Sequence, residues 1–125
     1  MTEPFEPEQT WQAVERRLLR EENPRRRALL VQVRDHMRAE VRGEFDALMK
    51  TLVDEPRYHF WGLPTEGGPK GREAVEVFYR NMIETGGNRF HFDVRRIVAD
   101  DDAVVTEGIM RQTMPGAIVA ASGKW

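Results

Sequence analysis

The sequence contains no cysteine. Disulfides, thiolate metal sites and cysteine nucleophiles are therefore excluded. No apolar run approaches the roughly 18–20 residues that a membrane-spanning helix needs. The first residues, Met1 to Pro7, are acidic and lack the basic start and apolar stretch of a secretory signal. A cytoplasmic location is the expectation. Lysine is scarce: Lys50, Lys70 and Lys124 stand against sixteen arginines. Nine of those arginines fall between Arg16 and Arg42, but Glu15, Glu21, Glu22, Asp35, Glu40 and Glu44 lie among them. Such interleaving describes a solvated helix face with exposed ion pairs and argues against nucleic acid as a partner. What is present is a water-soluble balance. The chain has 125 residues with 40% hydrophobic and 32% charged, which suits one domain with one real core.

The order of elements follows from spacing. Residues 1–9 carry two prolines and several acids, and read as a mobile arm. Trp11, Val14, Leu18 and Leu19 recur at helical steps, with Thr10 as the expected cap. Asn23 and Pro24 announce a second helix, since proline at the first helical position lacks only an N–H that would have no partner anyway. Leu29, Leu30, Val33, Met37 and Val41 continue it as one stripe. Gly43 interrupts the stripe, and Phe45 to Leu52 resume it. Tyr58 to Gly62 reads as a short strand between prolines. Leu63 to Gly71 is a glycine-rich loop. It lacks the hydroxyl of a phosphate-binding loop, and Pro69 removes a donor. Arg72 to Thr85 is the clearest helix, ended by Gly86-Gly87. Phe90 to Val98 and Val104 to Thr113 form a hairpin around Asp100-Asp101-Asp102. Pro115-Gly116 turns the chain into a further strand at Ala117 to Ala121. Helices first and antiparallel strands last make an α+β pattern. The division expected is an arm and short helix over 1–22 and the domain proper over 23–125.

Several phrases in this order carry a resemblance. They are His36-Met37-Arg38-Ala39-Glu40 with Glu44-Phe45-Asp46-Ala47-Leu48-Met49, and Gly68-Pro69-Lys70-Gly71-Arg72-Glu73-Ala74-Val75 with Phe78-Tyr79. Val94 to Asp101 and Val104 to Gly108 complete the set. Together they resemble the nuclear transport factor 2-like superfamily, in its SnoaL-like branch of polyketide cyclase and ketosteroid isomerase relatives. The resemblance implies a cone-shaped fold, with N-terminal helices packed on a curved, mainly antiparallel sheet. It also implies a pocket for a small apolar molecule and a homodimer. The chemistry it implies is cofactor-independent isomerisation, cyclisation or hydration, the alternative being a non-catalytic binding or dimerisation module. Relatives extend the sheet beyond Pro115-Gly116, so the expectation is either a cone lacking its last strand or strands or a fragment of a longer protein.

Acid–base work in such a pocket needs an inward carboxylate or imidazole. Glu107 is one candidate: it sits mid-strand on the face of Val105, Ile109 and Arg111, and a cross-strand ion pair is the plainer reading. His36 is the other, at the edge of its helix stripe. His36 and Glu40, four residues apart, could share a metal, but no third ligand has matching spacing. Tyr58, Trp61 and Tyr79 are candidates for the pocket wall. His91 and Asp93 share the strand face opposite Phe90, Phe92 and Val94 and are expected to point outward. No metal and no cofactor is expected.

Overall fold

The computed structural model describes residues 4–62 and 67–112. After a short 3-10 helix at Pro7–Gln9 come four α-helices: α1 (Gln12–Leu19), α2 (Pro24–Arg42), α3 (Phe45–Lys50) and α4 (Arg72–Glu84). Two antiparallel strands follow, β1 (Phe90–Ala99) and β2 (Val104–Gln112). Helices packed against an antiparallel hairpin give the α+β architecture expected from the sequence. The strand expected at Ala117 to Ala121 lies outside the described residues. No helix among the described residues is long and apolar enough to cross a membrane.

Local chemistry sets the long central helix. The Asn23 side chain accepts a hydrogen bond from the Arg26 amide at 3.1 Å, and Pro24 opens α2. At the other end Gly43 adopts a left-handed φ of 68°, a conformation that glycine reaches without a side-chain penalty. The Gly43 and Glu44 amides then satisfy the Glu40 and Ala39 carbonyls, so the chain turns sharply into α3.

Helix α2 serves two cores. Ala39 joins Leu48, Met49, Val75 and Tyr79 beneath α3 and α4. Leu30 and Met37 join Val14 and Leu18 of α1, with Phe92, Val94, Ile97 and Val104 of the hairpin packed against them. Val14, Leu30, Leu48 and Val75 are fully buried, and each is worth roughly 1.5–3 kcal/mol of hydrophobic stabilisation.

The hairpin turn is tied by the Asp100 carboxylate, which accepts from the amides of Asp102 and Ala103. Farther down, β1 bulges: Val94 faces Gly108 and Arg96 faces Glu107, so Arg95 is the extra residue where the register shifts. A bulge puts two consecutive residues on one face. Phe92 and Val94 therefore point to the helices before it, and Ile97 and Ala99 after it. Val98, which simple alternation puts with Phe90, Phe92 and Val94, is 45% exposed.

Four further expectations are corrected. Thr10 is not the cap of α1; it is fully buried, and its hydroxyl oxygen accepts from the Phe92 amide at 3.0 Å. The N-terminal segment, expected to be mobile, is docked from residue 4 onward. Its Glu6 amide donates to His91 Nδ1 at 3.1 Å, and Arg111 donates to the Pro4 carbonyl and contacts the same His91 nitrogen. His91 is consequently buried rather than solvent-facing. Tyr58 to Gly62 is not a strand. Its neighbourhood makes one isolated bridge, Arg57 with Lys70, and the Lys70 ammonium gathers the carbonyls of Tyr58, Gly67 and Gly68. A cation satisfies there the acceptors that a neighbouring strand would otherwise take.

Candidate functional site

A cavity of about 610 Å³ opens between α2, α4 and the inner face of the hairpin. Its walls are mainly apolar: Val33 and Met37 from α2, Phe78 and Met82 from α4, Phe90 and Phe92 from β1, and Val104 and Met110 from β2. A hollow of similar size on the outer side of α2 and α3 is lined by charged side chains such as Asp35 and Arg38, which pair with each other. The inner cavity differs in that its polar groups converge.

Those groups are His36, Glu40, Tyr58 and Tyr79. His36 and Glu40 lie one turn apart on α2, so both project to the same side. His36 Nε2 lies 3.7 Å from Glu40 Oε2 and 3.3 Å from the Tyr79 hydroxyl. The Tyr79 hydroxyl is 2.6 Å from that of Tyr58 and also hydrogen-bonds the Glu40 carboxyl. On the far side of the imidazole, Nδ1 is 2.8 Å from Thr51 Oγ1, and that hydroxyl reaches the Leu48 carbonyl at 2.7 Å. Helix α3 thus braces the ring from behind. Helix α2 supplies the acid, and α4 brings up the phenol. The rings of Tyr58, Phe78 and Tyr79 pack at centroid distances of 5.2–6.4 Å and hold the two hydroxyls in place.

Burial sets the ionisation of this cluster. The side chain of Glu40 is 14% exposed and that of His36 22%. Loss of water raises the Glu40 pKa from 4.5 to about 7, against a smaller opposing effect of the Tyr79 hydrogen bond. The same loss of water lowers His36 from 6.5 to about 4. Burial also raises Tyr79 and Tyr58. At neutral pH the imidazole is uncharged, both phenols keep their protons, and the Glu40 carboxyl is poised between its two forms. Such a carboxyl can give or take a proton without a metal. Among the described residues, no group of three histidine or acidic side chains is placed to hold a metal ion.

The residues singled out from the sequence divide into two sets. His36, Tyr58 and Tyr79 line the cavity together. Glu107 does not. The helices cover the other face of β2 and leave Glu107 outside, where its side chain is 60% exposed and 3.5 Å from Arg96. Trp61 is 85% exposed and stacks on His59 rather than entering the cavity. Asp93 also lies on the outer face and pairs with Arg95. Glu40 is the group that spacing brought up only as a metal partner of His36. The signal for it was the i, i+4 relation on an otherwise apolar stripe, but its meaning depends on Tyr79 approaching from α4.

The family model for the SnoaL-like domain matches residues 33–125. Neither the curated proteins nor the solved structures contain a match to the chain. The matched span includes α2 from Val33 onward and every wall of the cavity beyond it, whereas α1 and the docked N-terminal segment precede it. This chain, with its α+β architecture, belongs to the SnoaL-like family of the nuclear transport factor 2-like superfamily.

Proposed function

We propose that the protein is a cytoplasmic enzyme that moves a proton within a small, largely apolar molecule, using no cofactor. Isomerisation or cyclisation next to a carbonyl group is the reaction class. Glu40 is the general base and then the general acid. The carbonyl oxygen of the ligand sits beside Tyr58. Glu40 removes a proton from the carbon next to that carbonyl, and the electron pair moves onto the oxygen. Tyr58, backed by Tyr79, donates a hydrogen bond to the resulting oxyanion. The Glu40 carboxyl then returns its proton to another carbon, or the carbanion attacks a second carbonyl in the same molecule and the Glu40 proton goes to the alkoxide that forms. The observation that carries this reading is the buried Glu40 carboxyl, with a pKa of about 7, inside an apolar cavity. A non-catalytic module would fill its cavity with its own side chains, so an open cavity with a titrating acid weighs toward chemistry.

The test is proton exchange. Enolisable ketones incubated with the protein in heavy water should gain deuterium next to the carbonyl. The rate should rise with pH through about 7 as Glu40 ionises. Exchange by Glu40→Gln as fast as by the wild type would refute the assignment. The homodimer implied by the family resemblance is assigned to the outer sheet face, where Val98, Val105 and Ile109 are exposed. A monomeric mass in solution would refute that part.

A further inference from the structure

The imidazole of His36 has one hydrogen to place, and its surroundings decide where. The Thr51 hydroxyl has a single proton, and the Leu48 carbonyl, 2.7 Å away, can only accept it. Thr51 Oγ1 is then an acceptor toward His36 Nδ1 at 2.8 Å, so Nδ1 carries the ring hydrogen. The uncharged ring, with its pKa lowered to about 4, must leave Nε2 bare. That nitrogen borders the cavity, with a long 3.3 Å approach from the Tyr79 hydroxyl and Glu40 Oε2 at 3.7 Å, beyond hydrogen-bond distance. The tyrosine proton has a competing acceptor in Glu40. Nε2 therefore keeps acceptor capacity on the cavity side.

We propose that Thr51 is a positioning residue that locks His36 in its Nδ1–H form, and that the cavity consequently selects ligands presenting an O–H or N–H donor to His36 Nε2. The substrate class is a neutral, largely apolar molecule with a phenolic, enolic or alcoholic hydroxyl near its reacting carbon. A ligand offering only acceptors at that point would face a lone pair and leave it unpaired. This rests on the proton-transfer reading for its reaction but not for its tautomer. The two can fail separately: a Glu40 carboxyl titrating in the ordinary range would end the former and leave the latter standing.

The experiment is long-range proton–nitrogen correlation on nitrogen-15-labelled protein at neutral pH, with His36 assigned by the signals lost in His36→Gln. The wild type should show a protonated Nδ1 and an unprotonated Nε2. Thr51→Val has nearly the same shape but offers no acceptor, and should shift the ring toward the Nε2–H form. Thr51→Ser keeps the hydroxyl and should restore the wild-type pattern, which a merely structural role for Thr51 would not do. If Thr51→Val fails to fold, the wild-type and Thr51→Ser spectra still decide. An Nε2–H ring in the wild type, or an unchanged ring in Thr51→Val, overturns the proposal. The ligand half uses 2-naphthol and its methyl ether as probes. Wild-type protein should bind the naphthol roughly tenfold more tightly, the equivalent of one hydrogen bond, and Thr51→Val should lose the preference. Equal binding of the two by the wild type, or no binding of either, overturns the ligand assignment.

Discussion

Replacing Glu40 by glutamine should stabilise the protein at high pH and leave it unchanged at low pH. A carboxyl whose pKa is higher folded than unfolded binds its proton more tightly in the folded state. Unfolding then releases protons, and stability falls as pH rises. For Glu40 the fall begins as pH passes 4.5 and is complete above about 7. At about 1.4 kcal/mol per pH unit, the rise from 4.5 to about 7 amounts to about 3 kcal/mol. Glutamine has nearly the same shape and never ionises, so Glu40→Gln escapes this loss. The two proteins should match near pH 4 and differ by about 3 kcal/mol near pH 8. His36 adds a second signature. Its folded pKa of about 4 lies below the unfolded 6.5, so its contribution rises with pH across that interval. In the wild type this rise and the Glu40 fall oppose each other between 4.5 and 6.5. In Glu40→Gln the rise stands alone. Urea unfolding at pH 4, 6 and 8, followed by circular dichroism, reads both effects. The paired aspartates and glutamates elsewhere act equally in both proteins and cancel in the difference. An offset between the two proteins that stays constant over the whole range would refute the burial argument.

Two more outcomes follow from the geometry. Tyr79→Phe removes the hydrogen bond that opposes the effect of burial on Glu40, so the Glu40 carboxyl should titrate above 7 in a carbon-13 NMR titration; an unchanged midpoint would show that the phenol does not bear on it. Gly108→Ala would drive a methyl group into the Asp93 carbonyl and to within 2.9 Å of Val94 Cα, directly at the bulge, and should cost at least about 3 kcal/mol by thermal or urea unfolding. A loss under about 1 kcal/mol would mean that the strands separate there at little expense.

Much of the fold is legible in local patterns because local patterns cause it. Asn23-Pro24 and Gly43 bound α2 through backbone groups within a few residues of themselves. Gly86 ends α4 and Asp100 closes the hairpin in the same way. The misreadings occur where a distant partner decides. Thr10 has the chemistry of a cap, but the Phe92 amide far along the chain claims its oxygen. Tyr58 to Gly62 has the composition of a strand, yet Lys70 takes up the carbonyls that would have paired. The candidate site behaves alike. His36 is visible from its stripe, but the role of Glu40 needs α4 to seat Tyr79 against it. Period two correctly groups Glu107 with Val105 and Ile109. It says nothing of which face the helices cover, and they cover the other.

The bulge at Arg95 is the one place where β1 can change length without turning over. Arg95 and Arg96 share the outer side, so Val94 and Ile97 both face the helices although they are three positions apart. With position 95 removed, Val94 opposite Gly108 would lead directly to Arg96 opposite Glu107, and Ile97 and Ala99 would keep their partners and their side. Loss of a residue within the regular stretch from Ile97 to Ala99 would instead exchange the faces of whatever follows it. In a lineage of such chains, the count of residues in this strand should vary by one at the bulge and stay fixed on either side of it.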